Sequence, residues 1–285
     1  MRVLDNFSTG YRENIAHNLD HIILIEGDLT DLETVHRAVS GVDYVLHIGA
    51  IPSVPRSVSD PIASNAANVT GTLNVLVAAR DAGVRRVVYS SSSSVYGDSP
   101  TLPKHENIPT NPLSPYAVSK LAGENYCTAF FEVYNLPTVC LRYFNVFGPR
   151  QDPTSQYAAV IPNFIARMLR GEASIVEGDG LQSRDFTYVA NVVRANLLAC
   201  ESAPAVGRVM NAALGNRITL LELIAELNEI LGTTLRPRFE APRPGDVKHS
   251  QVDTMLLKQL LNFEEVVGFS EGLRKSVAWF RNSEF

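Results

Sequence analysis

The chain has 285 residues, of which 45% are hydrophobic and 19% charged, and a formal net charge of -5. That is the make-up of a globular protein of one large or two small lobes, and it excludes a disordered chain or a miniature scaffold. The 25 basic residues are scattered among 30 acidic ones with no basic face, which argues against nucleic acid as a partner.

In chain order, short β-branched runs alternate with longer helical patterns. The apolar runs are Arg2 to Leu4, Ile22 to Ile25, Tyr44 to Ile48, Arg86 to Tyr89 and Thr138 to Tyr143. Between them the spacing predicts helices near Leu32 to Val39, Ile62 to Ala82 and Tyr116 to Tyr134, opened by Thr30-Asp31, Asp60-Pro61 and Ser114-Pro115. Crossovers of this length force parallel strands, so the class is α/β with a parallel sheet whose strand ends share one rim. Ligands of such sheets bind beyond the carboxyl ends of the strands. After about residue 145 the texture changes, with Pro149, Pro153 and Pro162 and then Gly171, Gly178 and Gly180 set among helices near Ala158 to Leu169, Val189 to Cys200 and Leu220 to Leu231. A second, smaller lobe is expected there, with a turn at Arg243-Pro-Gly-Asp246 and a closing helix from Glu271 to Phe280.

Cys127, Cys140 and Cys200 stand far apart with no C-x-x-C pair, and the six His residues form no H-E-x-x-H or Cys/His cluster. Reduced thiols and no metal are expected. No run approaches the roughly 18 apolar residues of a membrane span, and Met1-Arg2 leads into charged and turn residues. A soluble, cytoplasmic protein with no membrane partner is the expectation.

The first chemical signal is Tyr116-Ala-Val-Ser-Lys120, which sets a phenol and an ammonium one turn apart on the same helix face. A Lys close to a Tyr favours the phenolate and makes it a proton acceptor near neutral pH. With ten Tyr and five Lys in the chain, chance yields roughly 0.2 such pairs, so the motif needs company. It has company in Ser90 to Ser94, which carries hydroxyls to the end of the fourth strand; a plain strand end capping itself is the simpler reading of that run.

Taken in order, S-S-S-x-V-Y-G-D, N-P-L-S-P-Y-A-V-S-K, L-R-Y-F-N-V-F-G-P-R-Q-D-P and S-R-D-F resemble the extended short-chain dehydrogenase/reductase family, and within it the nucleotide-sugar 4-epimerases, over nearly the whole chain. The resemblance implies a Rossmann-type doubly wound parallel sheet holding NAD, over 1–145 plus about 186–212. It also implies a smaller α/β lobe for a UDP-sugar, over about 146–185 and 213–285. It makes Tyr116 the catalytic base, Lys120 its activator and ribose ligand, and Ser92 the hydroxyl partner. By the same correspondence, Asp5, Asn6, Ser8 and Gly10 hold the adenosine ribose, and a carboxylate at Asp5 favours NAD over NADP. Asp28 and Leu29 frame adenine, Gly49, Ala50 and Ile51 approach the pyrophosphate, Asn68 braces the site, Tyr143 flanks the nicotinamide, and Ser90 is a further cofactor contact. The sugar nucleotide falls to Ser53, Ser92, Ser93, Asn145, Ala159, Val160, Arg184, Arg243, Asp246 and Ser250, with the two guanidinium forks suited to a diphosphate.

The family's G-x-x-G-x-x-G loop belongs upstream of Asp5, where roughly 30 residues of a βαβ unit have no counterpart because residue 1 already opens the second strand. The expectation is a misplaced start or a truncated chain rather than a natural loss of the loop, with weak NAD binding and low stability for residues 1–285 alone, and with unpaired ladder groups on either side of the absent central strand. Relatives that eliminate water or carbon dioxide carry acidic residues after the strand hydroxyl, where this chain has Ser93 and Ser94, so 4-epimerisation through a transient 4-keto sugar is preferred. Ser250 stands where relatives confined to UDP-glucose and UDP-galactose carry a bulky ring, which points to UDP-N-acetylglucosamine. UDP-glucose or UDP-glucuronate epimerisation, a reductase that releases NADH, and a remnant that binds UDP-sugar without NAD are the alternatives. A homodimer through helices near Ala67 to Arg80 and Leu121 to Tyr134 is the family expectation.

Overall fold

The computed structural model describes residues 1–153, 159–241 and 249–282. In chain order the elements are β1 (Arg2–Asp5), β2 (Ile23–Glu26), α1 (Leu32–Val39), β3 (Tyr44–His47), α2 (Val54–Ser59), α3 (Pro61–Asn65), α4 (Gly71–Asp81), β4 (Arg86–Ser92), α5 (Pro115–Tyr134), β5 (Thr138–Tyr143) and β6 (Val146–Phe147). They continue with α6 (Val160–Leu169), β7 (Ile175–Glu177), β8 (Ser183–Arg184), β9 (Thr187–Tyr188), α7 (Val189–Glu201), β10 (Arg208–Ala212), β11 (Ile218–Thr219), α8 (Leu220–Leu231), β12 (Arg238–Glu240), α9 (Met255–Leu261) and α10 (Phe269–Arg281). The chain forms two compact units, one of residues 1–97, 109–142 and 196–210, the other of residues 98–108, 143–195 and 211–285. Residues 98–108 join the second unit because the Lys104 amide and carbonyl bond to Gln251 and Asp253.

In the first unit the helix starts follow from their caps. Asp31 accepts the Glu33 amide, Asp60 the Ala63 amide and Ser114 the Ala117 amide, the last two with Pro in the first turn. β3 runs parallel to β4 with His47 opposite Tyr89, in a sheet ordered β10-β5-β4-β3. β1 and β2 form a separate parallel pair, with Asp5 opposite Glu26. Among the described residues no ladder joins this pair to β3. One core serves both, with Val35 and Val39 of α1, Val75, Leu76 and Ala79 of α4, Val87 and Tyr89 of β4, and Cys127 and Phe130 of α5 buried together and Leu4 and Val45 packed against them.

The helical pattern over Ile62 to Ala82 is not one helix. A π turn over Ala66–Thr70 separates α3 from α4, and the wider turn seats Asn68 where it bonds to another segment of the unit. The helix α2, which the periodicity did not reveal, starts on a Ser53 cap with Pro in its first turn.

The second unit packs Phe147, Phe164, Ile165, Phe186, Leu223, Leu227, Phe269, Leu273, Val277 and Phe280 into its own core. α8 opens with a capping box in which Thr219 accepts the Glu222 amide and Glu222 accepts the Thr219 amide. The Arg243-to-Asp246 turn, and Ala158 at the predicted start of α6, lie outside the described residues. Among the described residues no helix is long and apolar enough to cross a membrane, and no three His, Cys, Asp or Glu side chains gather as a metal site.

Candidate active site

The carboxyl ends of β3 and β4 and the first turns of α5 converge in the first unit. Lys120 is buried on α5 and its Nζ donates to the Ser90 carbonyl at 2.8 Å, leaving two of its three protons unspent. Ser90 Oγ donates to the His47 carbonyl at 3.1 Å, which ties the two strand ends together below the ammonium. Burial lowers the Lys120 ammonium to about 8, with Cys127 acting in the opposite direction.

Ser92 caps the turn that follows β4, and its Oγ accepts from the Ser94 amide at 3.2 Å and from Ser94 Oγ at 3.0 Å. With both acceptor positions used, its own proton is available to the Tyr116 phenol, with which it is hydrogen-bonded. Burial raises the Tyr116 phenol above its ordinary value, and the Ser92 bond works against that rise. The sequence reading had Lys120 pull the phenol down. In the protein by itself burial wins instead, and the hydroxyl partner is the group that favours the phenolate.

Asn68 ties the segment after β3 to α5. Its Oδ1 accepts the Ile51 amide at 2.8 Å, and its Nδ2 donates to Ser119 Oγ at 3.0 Å and to the Ile51 carbonyl at 3.3 Å. Ser119 in turn donates to the Tyr116 carbonyl at 2.8 Å. Gly49 passes close to Leu29, where a Cβ would lie 2.8 Å from the tip of the Leu29 side chain at Cδ1. At the ends of β1 and β2 the Asp5 carboxylate accepts the Phe7 amide at 2.8 Å, and Asn6 accepts the Ser8 amide and donates to Asp28 at 2.6 Å. The Thr30 amide and hydroxyl hold Asp28 below the usual carboxylate range. Gly10 lies beside Asp5, a Cβ there being 3.9 Å from Oδ2. Ser53 spends its hydroxyl as the α2 cap, accepting the Arg56 amide at 3.2 Å, and Ser93 begins the turn that Ser92 caps. Ala50 follows Gly49 in the segment that Asn68 braces.

In the second unit, β8 gathers several candidates. The Ser250 amide donates to the Ser183 carbonyl at 3.0 Å, Arg184 follows Ser183 on the same strand, and Asn145 Nδ2 donates to the Asp185 carbonyl at 3.2 Å. Asn145 adopts φ 37°, a left-handed value that Asn tolerates. Asp185, just past β8, is buried and accepts the Gly215 amide at 2.8 Å; burial raises its carboxyl to about 7 against the pull of the Gly215, Leu214 and Asn216 amides. Ala159 and Val160 open α6 and Tyr143 ends β5. Arg243 and Asp246 lie outside the described residues.

Two features were not anticipated. His47 is buried and held neutral, its pKa pushed down to about 3 by burial and then by the charge of Lys120. Thr72 Oγ1 gives its proton to the Asn68 carbonyl at 2.6 Å and lies 2.8 Å from His47 Nε2, so Nε2 carries the imidazole proton. The second is Glu124, one turn beyond Lys120, which takes Arg142 Nε at 2.8 Å and Nη2 at 2.7 Å and the Ser91 hydroxyl, all buried. The i+4 spacing from Lys120 was its one trace in the sequence.

Comparison with known proteins identifies the family. The profile of the NAD dependent epimerase/dehydratase family matches residues 1–213. A UDP-glucose 4-epimerase of Mycolicibacterium smegmatis is 37% identical over 283 residues, 98% of this chain and 90% of that protein. The solved UDP-N-acetylglucosamine 4-epimerase from Methanobrevibacter ruminantium, in complex with UDP-N-acetylmuramic acid, is 40% identical with a TM-score of 0.94, over 99% of this chain and 90% of that one. The Thermus thermophilus UDP-glucose 4-epimerase complex with NAD is 35% identical with a TM-score of 0.89, over 99% of this chain and 91% of that one. With the profile spanning most of the chain and relatives aligned over nearly all of it, this chain belongs to the NAD dependent epimerase/dehydratase family.

Proposed function

We propose that this NAD-dependent epimerase inverts C4 of UDP-N-acetylglucosamine and UDP-N-acetylgalactosamine. The observation that carries the chemistry is the Ser92–Tyr116 hydroxyl pair beside a buried Lys120 ammonium with two uncommitted protons. The residues fit the cofactor: Lys120 keeps donors for ribose hydroxyls, and Asp5 closes β1 beside Asn6, which donates to Asp28 just past β2. NAD held there would supply a reversible hydride acceptor for the substrate carbon. Tyr116 Oη accepts the proton of the sugar 4-hydroxyl and gives it back after the transient 4-keto sugar has turned. Ser92 donates to the Tyr116 oxygen and Lys120 adds a positive charge on α5, and both favour the phenolate that takes the sugar proton.

The N-acetyl preference rests on Ser250, a small side chain held against β8 next to Arg184, and on the likeness to a UDP-N-acetylglucosamine 4-epimerase. The likeness to the M. smegmatis protein favours UDP-glucose as the second reading. Val133 and Tyr134, exposed at the end of α5, support a homodimer through that helix. Incubating the protein with added NAD and each UDP-sugar tests the assignment. The expected result is faster formation of UDP-N-acetylgalactosamine than of UDP-galactose, with both lost in Tyr116→Phe. Conversion of UDP-glucose alone overturns the N-acetyl reading, and unchanged epimerisation by Tyr116→Phe overturns the mechanism.

A further inference from the structure

Beneath the Lys120 ammonium lies an aromatic ring that takes no part in the proton transfer. Tyr89 is almost wholly buried on β4, and Lys120 Nζ stands over its ring 5.2 Å from the centroid. That is within the reach at which a ring face attracts a cation, and the attraction is strongest where water is excluded. The ring is held from both ends. Its hydroxyl donates to the Lys120 carbonyl at 3.4 Å, and His47 packs against it at a centroid distance of 5.6 Å. Gly123, one turn beyond Lys120, is the reason it fits, because a Cβ there would fall inside van der Waals contact with Tyr89 Oη, Cζ and Cε1.

Resting on the reading that Lys120 serves Tyr116, we infer that Tyr89 is a positioning residue whose ring face, seated in the Gly123 notch, keeps the buried Lys120 amine charged.

Of the groups around the amine, Cys127 of α5 favours its charge alongside the ring. From β3 comes His47, neutral with its proton on Nε2. From β4 comes the Ser90 carbonyl, a dipole without net charge. From α5 itself come Cys127, Tyr116 and Glu124, the last spent on Arg142 of β5 beside Cys140. Burial drives the amine toward its neutral form, and a neutral Lys120 gives no positive charge to Tyr116. An aromatic face opposes that drift without adding a carboxylate, which would bind the ammonium and hold it away from its ligands.

The test reads the amine directly in the full chain. The sequence has five lysines, so lysine labelled with ¹³C at the ε position gives a simple spectrum, and loss of one signal in Lys120→Arg assigns the group. In the native protein the Lys120 ε protons are expected upfield, shifted by the ring current, with a titration midpoint near pH 8. Tyr89→Leu is expected to lower the midpoint by about one pH unit, while Tyr89→Phe, which keeps the ring, stays within about 0.3 of the native value. An unmoved midpoint in folded Tyr89→Leu overturns the inference. So does an unshifted Lys120 signal in the native protein, a measurement that stands even where the Leu variant does not fold. If Lys120→Met keeps full epimerase activity, the reading of Lys120 fails, yet the titration still reports whether the ring holds the charge.

Discussion

Removing one half of the Glu124–Arg142 pair should be among the most damaging single changes in the first unit. The two side chains are 4% and 6% exposed and meet through two parallel bonds of 2.8 and 2.7 Å, and Glu124 also takes the Ser91 hydroxyl. The Arg142 guanidinium lies over the Tyr96 ring at 4.6 Å. Burial opposes its charge, and the bonds and charge of Glu124 more than offset that, raising its pKa further. Glu124→Gln keeps the volume but strands a buried cation, which costs about 3–5 kcal/mol. Arg142→Met strands the carboxylate at a similar cost. Glu124→Gln with Arg142→Met removes both charges, so the double variant should lose less than the sum by about 2 kcal/mol or more, the surplus being the coupling between the two groups. Urea unfolding followed by far-ultraviolet circular dichroism gives all three differences. Single variants within about 1 kcal/mol of the parent, or a double variant equal to the sum, would refute the view that the two charges are buried against one another.

Titration gives opposite signs in the two units. His47 has a folded pKa of about 3 against an unfolded value near 6.5, so its contribution is complete above pH 6.5. The unfolded chain gains the proton first, and stability falls by up to about 1.4 kcal/mol per pH unit below that point; amide exchange of β3 and β4 should show this, and His47→Gln should flatten it. Asp185 is raised to about 7, so the folded state holds the proton longer and stability falls as pH rises from about 4 to 7. Trp279, the one tryptophan and part of α10, reports on that unit by fluorescence, and Asp185→Asn should remove the slope. Thr219→Ala breaks the α8 capping box, in which the Glu222 amide reaches Thr219 Oγ1 at 3.1 Å, and should cost about 1 kcal/mol by the same fluorescence. No change there would mean that the box contributes nothing to the folded unit.

The sequence by itself settled the elements whose signals are local. β-Branched runs marked β1 to β5, and Asp31, Asp60 and Ser114 marked the starts of α1, α3 and α5, because a cap bonds within three residues of itself. The Tyr116–Lys120 pair was equally visible, since four residues on a helix return to the same face. What the side chains do there was decided by partners far along the chain. Lys120 reaches Ser90 across 30 residues, Asn68 reaches Ser119 across 51 and Arg142 reaches Glu124 across 18. The π turn at Asn68, the neutral tautomer of His47 and the upward pull of burial on Tyr116 exist only once those segments have closed on one another and excluded water. Periodicity records which face of an element is apolar, and cannot record which polar group from another element will meet it.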